Sequence, residues 1–368
     1  MEDVPLRKAG ISGERLICDV RSSVPLWKTI LAKSITKARD FSSRFGLDEE
    51  QVAKTIECFP ARINSYFLRL IQNPEDPLGR QVIPSPLELE DGDDSMDPLG
   101  EEAQSPVPNL IHRYPDRVVL LVSNQCAVYC RFCNRKRRIM RRSNGKSPSL
   151  DGAFRYIISH REVRDVLISG GDPLLMEDGE LELLLARLRA IPHVEILRIG
   201  TRVPSALPQR ITRGLCRILR RYAPIYISLH FNHPLEITDV SAKACSMLAN
   251  SGLPLGSQTV LLKGVNDDPQ VILDLIEKLA RVRVRPYYLF QLDPVRGSRH
   301  FKTPVQLGIE TLEFLSRKLP LELIPHFAVD LPGGGGKVTL GPWMWGAERE
   351  PFWYIDQKSC LGLAEGRS

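Results

Sequence analysis

From Val118 onward, short apolar stretches alternate with longer amphipathic ones, and this rhythm limits the possible folds more than any other feature. "VVLLV" (118–122), "DVLISG" (165–170), "EILRIG" (195–200), "IYISLHF" (225–231), "SQTVLL" (257–262) and "YYLFQL" (287–292) each read as a strand. Between them, segments such as "ELELLLARLRAI" and "PQVILDLIEKLARV" carry apolar residues at helical spacing. After the first interval the strands lie about 30 residues apart, the size of a βα unit. Six such units predict a parallel sheet, either an open (β/α)6 barrel or a doubly wound sheet. Polar and glycine residues at or just beyond the strand C-termini favour the barrel: "GGD" (170–172), "GTR" (200–202), "HFNH" (230–233), "KGVN" (263–266) and Asp293. Barrel enzymes build their sites on that face from several strand ends. The expected class is therefore α/β, a partial (β/α)6 TIM-like barrel with an N-terminal helical region.

Four segments follow from this reading. Residues 1–75 form the helical region, with Asp48 and Gln51 placed to cap a helix start. Residues 76–110 are a strap rich in proline and acids, 111–337 the barrel core, and 338–368 a short C-terminal segment. Charge is uneven: residues 88–102 carry eight acids and residues 131–142 seven bases. Such a basic run is a solvated face, a phosphate-binding patch or, less often, a grip on nucleic acid. No apolar run approaches about 18 residues, so no membrane partner is expected. The eight cysteines, three clustered and five scattered, do not suggest a disulfide framework. A cytoplasmic location is expected.

The clustered three are Cys126, Cys130 and Cys133, in "CAVYCRFCNRKRR" directly after the first strand. Zinc sites commonly use four ligands in two spaced pairs, and no second pair exists here. Three thiolates at CxxxCxxC spacing can instead ligate three irons of a [4Fe–4S] cluster and leave the fourth open for a small molecule. A second motif is "LPGGGGKV" (331–338). It fails as a phosphate loop, because Leu331 and Val338 stand where glycine and Ser or Thr are required. Four glycines let backbone pass close to a bound ring and leave Lys337 free to move. A lysine amine can form a Schiff base with an aldehyde cofactor such as pyridoxal phosphate.

The triplet and the "GGD" resemble the radical S-adenosylmethionine superfamily over about residues 110–300. "HRYPDR", "CxxxCxxCxR", "LISGGD", "RIGTR", "HFNHP", "RPYYLFQLD" and "VDLPGGGGK" in this order resemble, within it, the lysine 2,3-aminomutase family. The resemblance implies a [4Fe–4S] cluster on Cys126, Cys130 and Cys133, with S-adenosylmethionine on its open iron. Backbone at Gly170, Gly171 and Asp172 would hold the methionyl amine, and His230 and Gln258 would line that site. Lys337 would carry pyridoxal 5′-phosphate, with Arg113 and Arg117 on its phosphate. Arg135 would grip the substrate carboxylate. Asp293 and Asp330 would face the far end of the substrate, and two carboxylates there suit a distal ammonium and repel a carboxylate. Lysine is the substrate implied; arginine or glutamate are the alternatives within the family. The other alternative is a radical enzyme that modifies RNA or protein. The implied partners are a reductant protein such as flavodoxin or ferredoxin and, as an option, a second copy of the chain, but no nucleic acid. Asp267 and Asp268 stand where a core zinc cysteine would be expected, so no structural zinc is expected.

Overall fold

All six expected strands form, and three short ones extend the sheet. The computed structural model describes residues 24–90, 94–139 and 149–341. Among these, nine strands make one sheet: β1 (Leu110–Tyr114), β2 (Arg117–Ser123), β3 (Asp165–Gly170), β4 (Ile196–Thr201), β5 (Ile225–His230), β6 (Leu255–Leu261), β7 (Arg285–Gln291), β8 (His326–Leu331) and β9 (Gly336–Leu340). Their order in the sheet is their order in the chain. A doubly wound sheet reverses its order at a switch point, so the unbroken order decides for the barrel. Strands β2 to β8 are parallel, while β1 and β9 run antiparallel at the two edges. The edges nearly meet, since the Lys337 amide on β9 donates to the Tyr114 hydroxyl on β1 at 3.0 Å. The parallel set thus has seven strands, not six: β8 follows the sixth βα unit.

The outer helices form for ordinary reasons. The helix Pro269–Arg281 starts at Asp268, whose carboxylate accepts from the Gln270 amide, and has proline in its first turn and Lys278 and Arg281 in its last. Ile272, Leu273, Leu275, Ile276 and Leu279 are its buried face. Asp268 is therefore occupied as a cap. In the N-terminal region Asp48 caps the helix Glu49–Cys58 as expected.

That N-terminal region has a task that periodicity alone does not reveal. Buried Asn64 accepts from the amides of Tyr66 and Phe67, and its side-chain amide donates to the carbonyls of Ala127 and Ala206. Ile63 forms an antiparallel bridge with Val128. The amides of Tyr129 and Arg131 donate to Arg62 and Gln81 carbonyls, both at 2.9 Å. Arg131 is fully buried and forks onto Glu88 at 2.8 and 2.7 Å, with further bonds to the Phe59 and Pro60 carbonyls. The N-terminal helices and the start of the strap, through Gln81 and Glu88, therefore hold the cysteine loop, and one hydrophobic core runs from Trp27 and Phe41 into the barrel. Among the described residues no helix is long and apolar enough to cross a membrane.

Candidate active site

The cysteine loop leaves the C-terminal end of β2 and packs against the turn after β3. The Gly171 amide donates to the Ser123 carbonyl at 2.5 Å and the Asp172 amide to Gln125 at 2.7 Å. Gly170 has φ +118°, and a Cβ there would lie 2.5 Å from the Ser123 oxygen; one at Gly171 would run into Gln125. The "GGD" is thus glycine-rich because the cysteine loop lies against it. Its N–H groups are committed to that loop. An ammonium would have to be met by carbonyls, which are acceptors. The Asp172 side chain is buried and accepts from Thr201 Oγ1 and from the Arg202 and Leu174 amides. It locks β3 to β4.

The three thiols fit a cationic inorganic group. Burial first, then Cys130, push Cys133 up to about 11; burial, Asp172 and the other two thiols push Cys126 well above the ordinary range. Without a cation the neutral forms of Cys126 and Cys133 are favoured, whereas iron ligation removes the proton outright. Among the described residues no three such side chains are arranged to grip one metal ion. A cluster offers each thiolate its own iron, so its ligands need not converge on one point. His230 and Gln258 are register neighbours on β5 and β6. Burial and then Arg202 draw His230 down to about 4, so it is a neutral imidazole, bonded to Asn232 Oδ1 at 3.0 Å.

Lys337 lies at the other end of the barrel's chain order. It is not loose in a glycine loop, as its motif suggests. It stands on β9, in register with Asp330 on β8. The glycines make the hairpin between them, with positive φ at Gly333, Gly334 and Gly336. Lys337 Nζ is 2.8 Å from Asp330 Oδ2 and 4.8 Å above the Phe290 ring. Arg113 Nη1 reaches the other Asp330 oxygen at 3.3 Å, while its Nε donates to Gln104 Oε1 and its Nη2 to the Leu99 carbonyl. Arg113 is thus tied to a carboxylate. Arg117 pairs with its neighbour Asp116 and lies over the Tyr114 ring, half-exposed at the start of β2.

Asp293 follows β7 and accepts from Asn134 Nδ2 at 2.7 Å. Burial first, then Asp330, push its carboxyl up to about 6, against Asn134, Lys337 and Arg135. The two aspartates therefore feel each other. Arg135 donates to Glu101 through Nε and to Ser169 through Nη1, at 2.8 and 3.1 Å. Burial alone would raise the Glu101 carboxyl, but Arg135 and Arg137 outweigh it and hold it below its usual range. In "CNR", Cys133 belongs to the thiol set, Asn134 holds Asp293, and Arg135 is held by the strap.

The acidic strap and the basic run explain each other. Arg131 pairs with Glu88, Arg135 with Glu101, and Arg137 with Asp97, Glu101 and Glu102. These three bases are not a solvated face, because each is buried or half-buried against strap carboxylates. Arg141 and Arg142 lie outside the described residues. Sequence reasoning missed Glu101, Asn134 and Arg202 as site residues. The signals were the opposite charge of the two runs for Glu101 and the strand-end "GTR" for Arg202; Asn134 had none.

The chain matches the Radical SAM superfamily over residues 120–276. It is 49% identical over 300 residues to L-lysine 2,3-aminomutase of Clostridium subterminale, covering 80% of this chain and 72% of that protein. L-lysine 2,3-aminomutase of Fusobacterium nucleatum is 46% identical over 86% of this chain and 76% of its own length. Glutamate 2,3-aminomutase of Clostridioides difficile is 44% identical over 80% of this chain and 71% of its own length. Seven ordered motifs, a sequential barrel and a thiol triplet at its strand ends agree with these likenesses: the chain is an enzyme of the L-lysine 2,3-aminomutase family, within the radical SAM superfamily.

Proposed function

We propose that this enzyme converts L-lysine to L-β-lysine, moving the amino group from the α- to the β-carbon. The observation that carries lysine is the pair Asp293 and Asp330. They share one electrostatic site, reached also by Lys337 and Arg135. Cys126, Cys130 and Cys133 would hold a [4Fe–4S] cluster, with S-adenosylmethionine between Gly170–Asp172 and the His230–Gln258 pair. Lys337 would hold pyridoxal phosphate, with Arg113 and Arg117 toward its phosphate. Together the cluster and S-adenosylmethionine supply hydrogen-atom abstraction, and pyridoxal phosphate supplies an aldehyde that carries the migrating nitrogen.

The chain's own residues bind and orient. Arg135, steadied by Glu101 and Ser169, offers its remaining N–H to the substrate carboxylate. Asp330 starts out neutralised by the Lys337 ammonium. With pyridoxal phosphate bound, Lys337 would hold the cofactor instead of pairing with Asp330, and Asp330 would be left to accept a substrate ammonium. Asp293, above its normal pKa, gains from the same ammonium. A substrate ending in a carboxylate would meet two like charges instead. His230 stays neutral and neither donates a proton at working pH nor repels a sulfonium.

The test is anaerobic reconstitution with iron, sulfide, pyridoxal phosphate, S-adenosylmethionine and a reductant, followed by L-lysine. β-Lysine is the expected product. No β-amino acid from a preparation whose cluster is spectroscopically competent would defeat the proposal. A chemical reductant suffices for the test, so flavodoxin or ferredoxin, the expected physiological donors, need not be supplied.

A further inference from the structure

Arg202 is a buried cation with no part in holding the substrate or pyridoxal phosphate. It follows β4, with its own amide fixed to Asp172 Oδ2 at 2.7 Å. The side chain is 8% exposed and lies between the Phe67 and Phe132 rings, its guanidinium carbon 5.7 Å from each centroid. Nη1 donates to Cys130 Sγ at 2.7 Å, while Nη2 donates to Gln81 Oε1 at 2.6 Å and lies 3.4 Å from Glu236 Oε2. Glu236 is fully buried and accepts from Ser205 Oγ, Gln81 Nε2 and the Asn232 and His233 amides. Gln81 also accepts from Asn232 Nδ2. Both terminal nitrogens of the guanidinium are therefore engaged, Nη1 on one thiol and Nη2 on the Gln81–Glu236 pair, while Nε is buried without a partner.

We infer that Arg202 is a positioning residue for the cluster, orienting Cys130 and raising the cluster's reduction potential through a charged N–H···S bond. The inference rests on the cluster reading of the cysteine triplet. The physical reason is simple. Reduction adds negative charge to the cluster, and a fixed cation with a hydrogen bond to a ligating sulfur stabilises the more negative state. Arg202 is the right residue for this, because its fork lets it bond the sulfur and the Gln81–Glu236 pair at once. Gln81 joins this network to the start of the strap, so the residue whose carbonyl accepts from the Arg131 amide also sets the orientation of the guanidinium.

The experiment uses the full-length enzyme, reconstituted anaerobically without S-adenosylmethionine, in three forms: wild type, Arg202→Gln and Arg202→Lys. Iron and sulfide content and the cluster's paramagnetic signal are measured first, then the midpoint potential by redox titration. Absence of a cluster from the wild type would defeat the proposed function itself. With the cluster present, Arg202→Gln should lower the potential enough to make reduction at least tenfold less favourable, 59 mV for one electron. Arg202→Lys, which keeps the charge and loses the fork, should fall by less. Should Arg202→Gln lose its iron, the Lys variant decides. Glu236→Gln separates a purely structural role: it removes the counter-charge while leaving Arg202, so its potential should not fall. Wild-type potentials in the Arg202 variants at full iron content, or an equal drop in Glu236→Gln, would overturn the inference.

Discussion

The cysteine loop and the Lys337 hairpin sit at opposite ends of the sheet's chain order, after β2 and on β8–β9, and are held by different forces. The loop is clamped by buried groups: Asn64, the Ile63–Val128 bridge and the Arg131–Glu88 fork, whose two side chains are 1% and 0% exposed. The hairpin is held by its own glycine geometry and by ion pairs that stay within reach of solvent, with Lys337 33% exposed against 7% for Asp330. The contrast fits the chemistry each end would serve in the proposed function. A cluster needs its ligands fixed before anything binds. In the proposed function Lys337 would condense with an aldehyde and surrender its partner, so a replaceable ion pair would suit it.

The contrast breaks most easily at Glu88. Glu88→Gln leaves the Arg131 guanidinium buried without its counter-ion, which should cost about 3–5 kcal/mol of stability. Thermal unfolding checks this, and a cost below about 1 kcal/mol, as for exposed pairs, would mean that the loop is not clamped from the N-terminal side. Asp330→Asn should leave stability nearly intact and strike binding. It should lower kcat/KM for lysine by about 2–3 kcal/mol, roughly 30- to 200-fold, the scale for a partly buried charge pair. A smaller loss than in a surface-charge control would remove Asp330 from the site.

Glu101→Gln sharpens the comparison from the strap. Arg135 loses the charge of its anchor but keeps a hydrogen bond, so KM for lysine should rise about tenfold, roughly 1.4 kcal/mol, with kcat little changed. A fall in kcat with KM unchanged would contradict a positioning role. The smallest effect is in pH. Asp293 carries a pKa raised to about 6, so its charge is lost on acidification sooner than an ordinary carboxylate's. Lysine binding needs that charge, so kcat/KM should decline as pH falls through about 6. In Asp293→Asn that limb should vanish from the profile.

Much of this was legible in the sequence because it is local. The parallel strands are continuous apolar runs, and the cysteine spacing and "GGD" lie within a few residues of their partners. Strands β1, β8 and β9 escaped notice because "LIHRY", "HFAVDL" and "GKVTL" are short and interrupted by polar residues, as edge-zone strands tend to be. The glycine run invited a mobile-lysine reading, since sequence cannot separate a flexible loop from a tight turn at positive φ. Glu101, Asn134 and Arg202 act across 34, 159 and 72 residues of chain, toward Arg135, Asp293 and Cys130. No periodicity carries such pairings.

The central claim is that the hairpin end of the barrel reads an ammonium through two carboxylates. Parallel measurement of kcat/KM for L-lysine and L-glutamate, in the wild type and in Asp330→Asn, tests it most directly. The wild type should prefer lysine by at least about 100-fold, the scale of one unfavourable buried charge, and the variant should lose most of that preference. Equal turnover of glutamate by the wild type, or an undiminished preference in Asp330→Asn, would contradict the account.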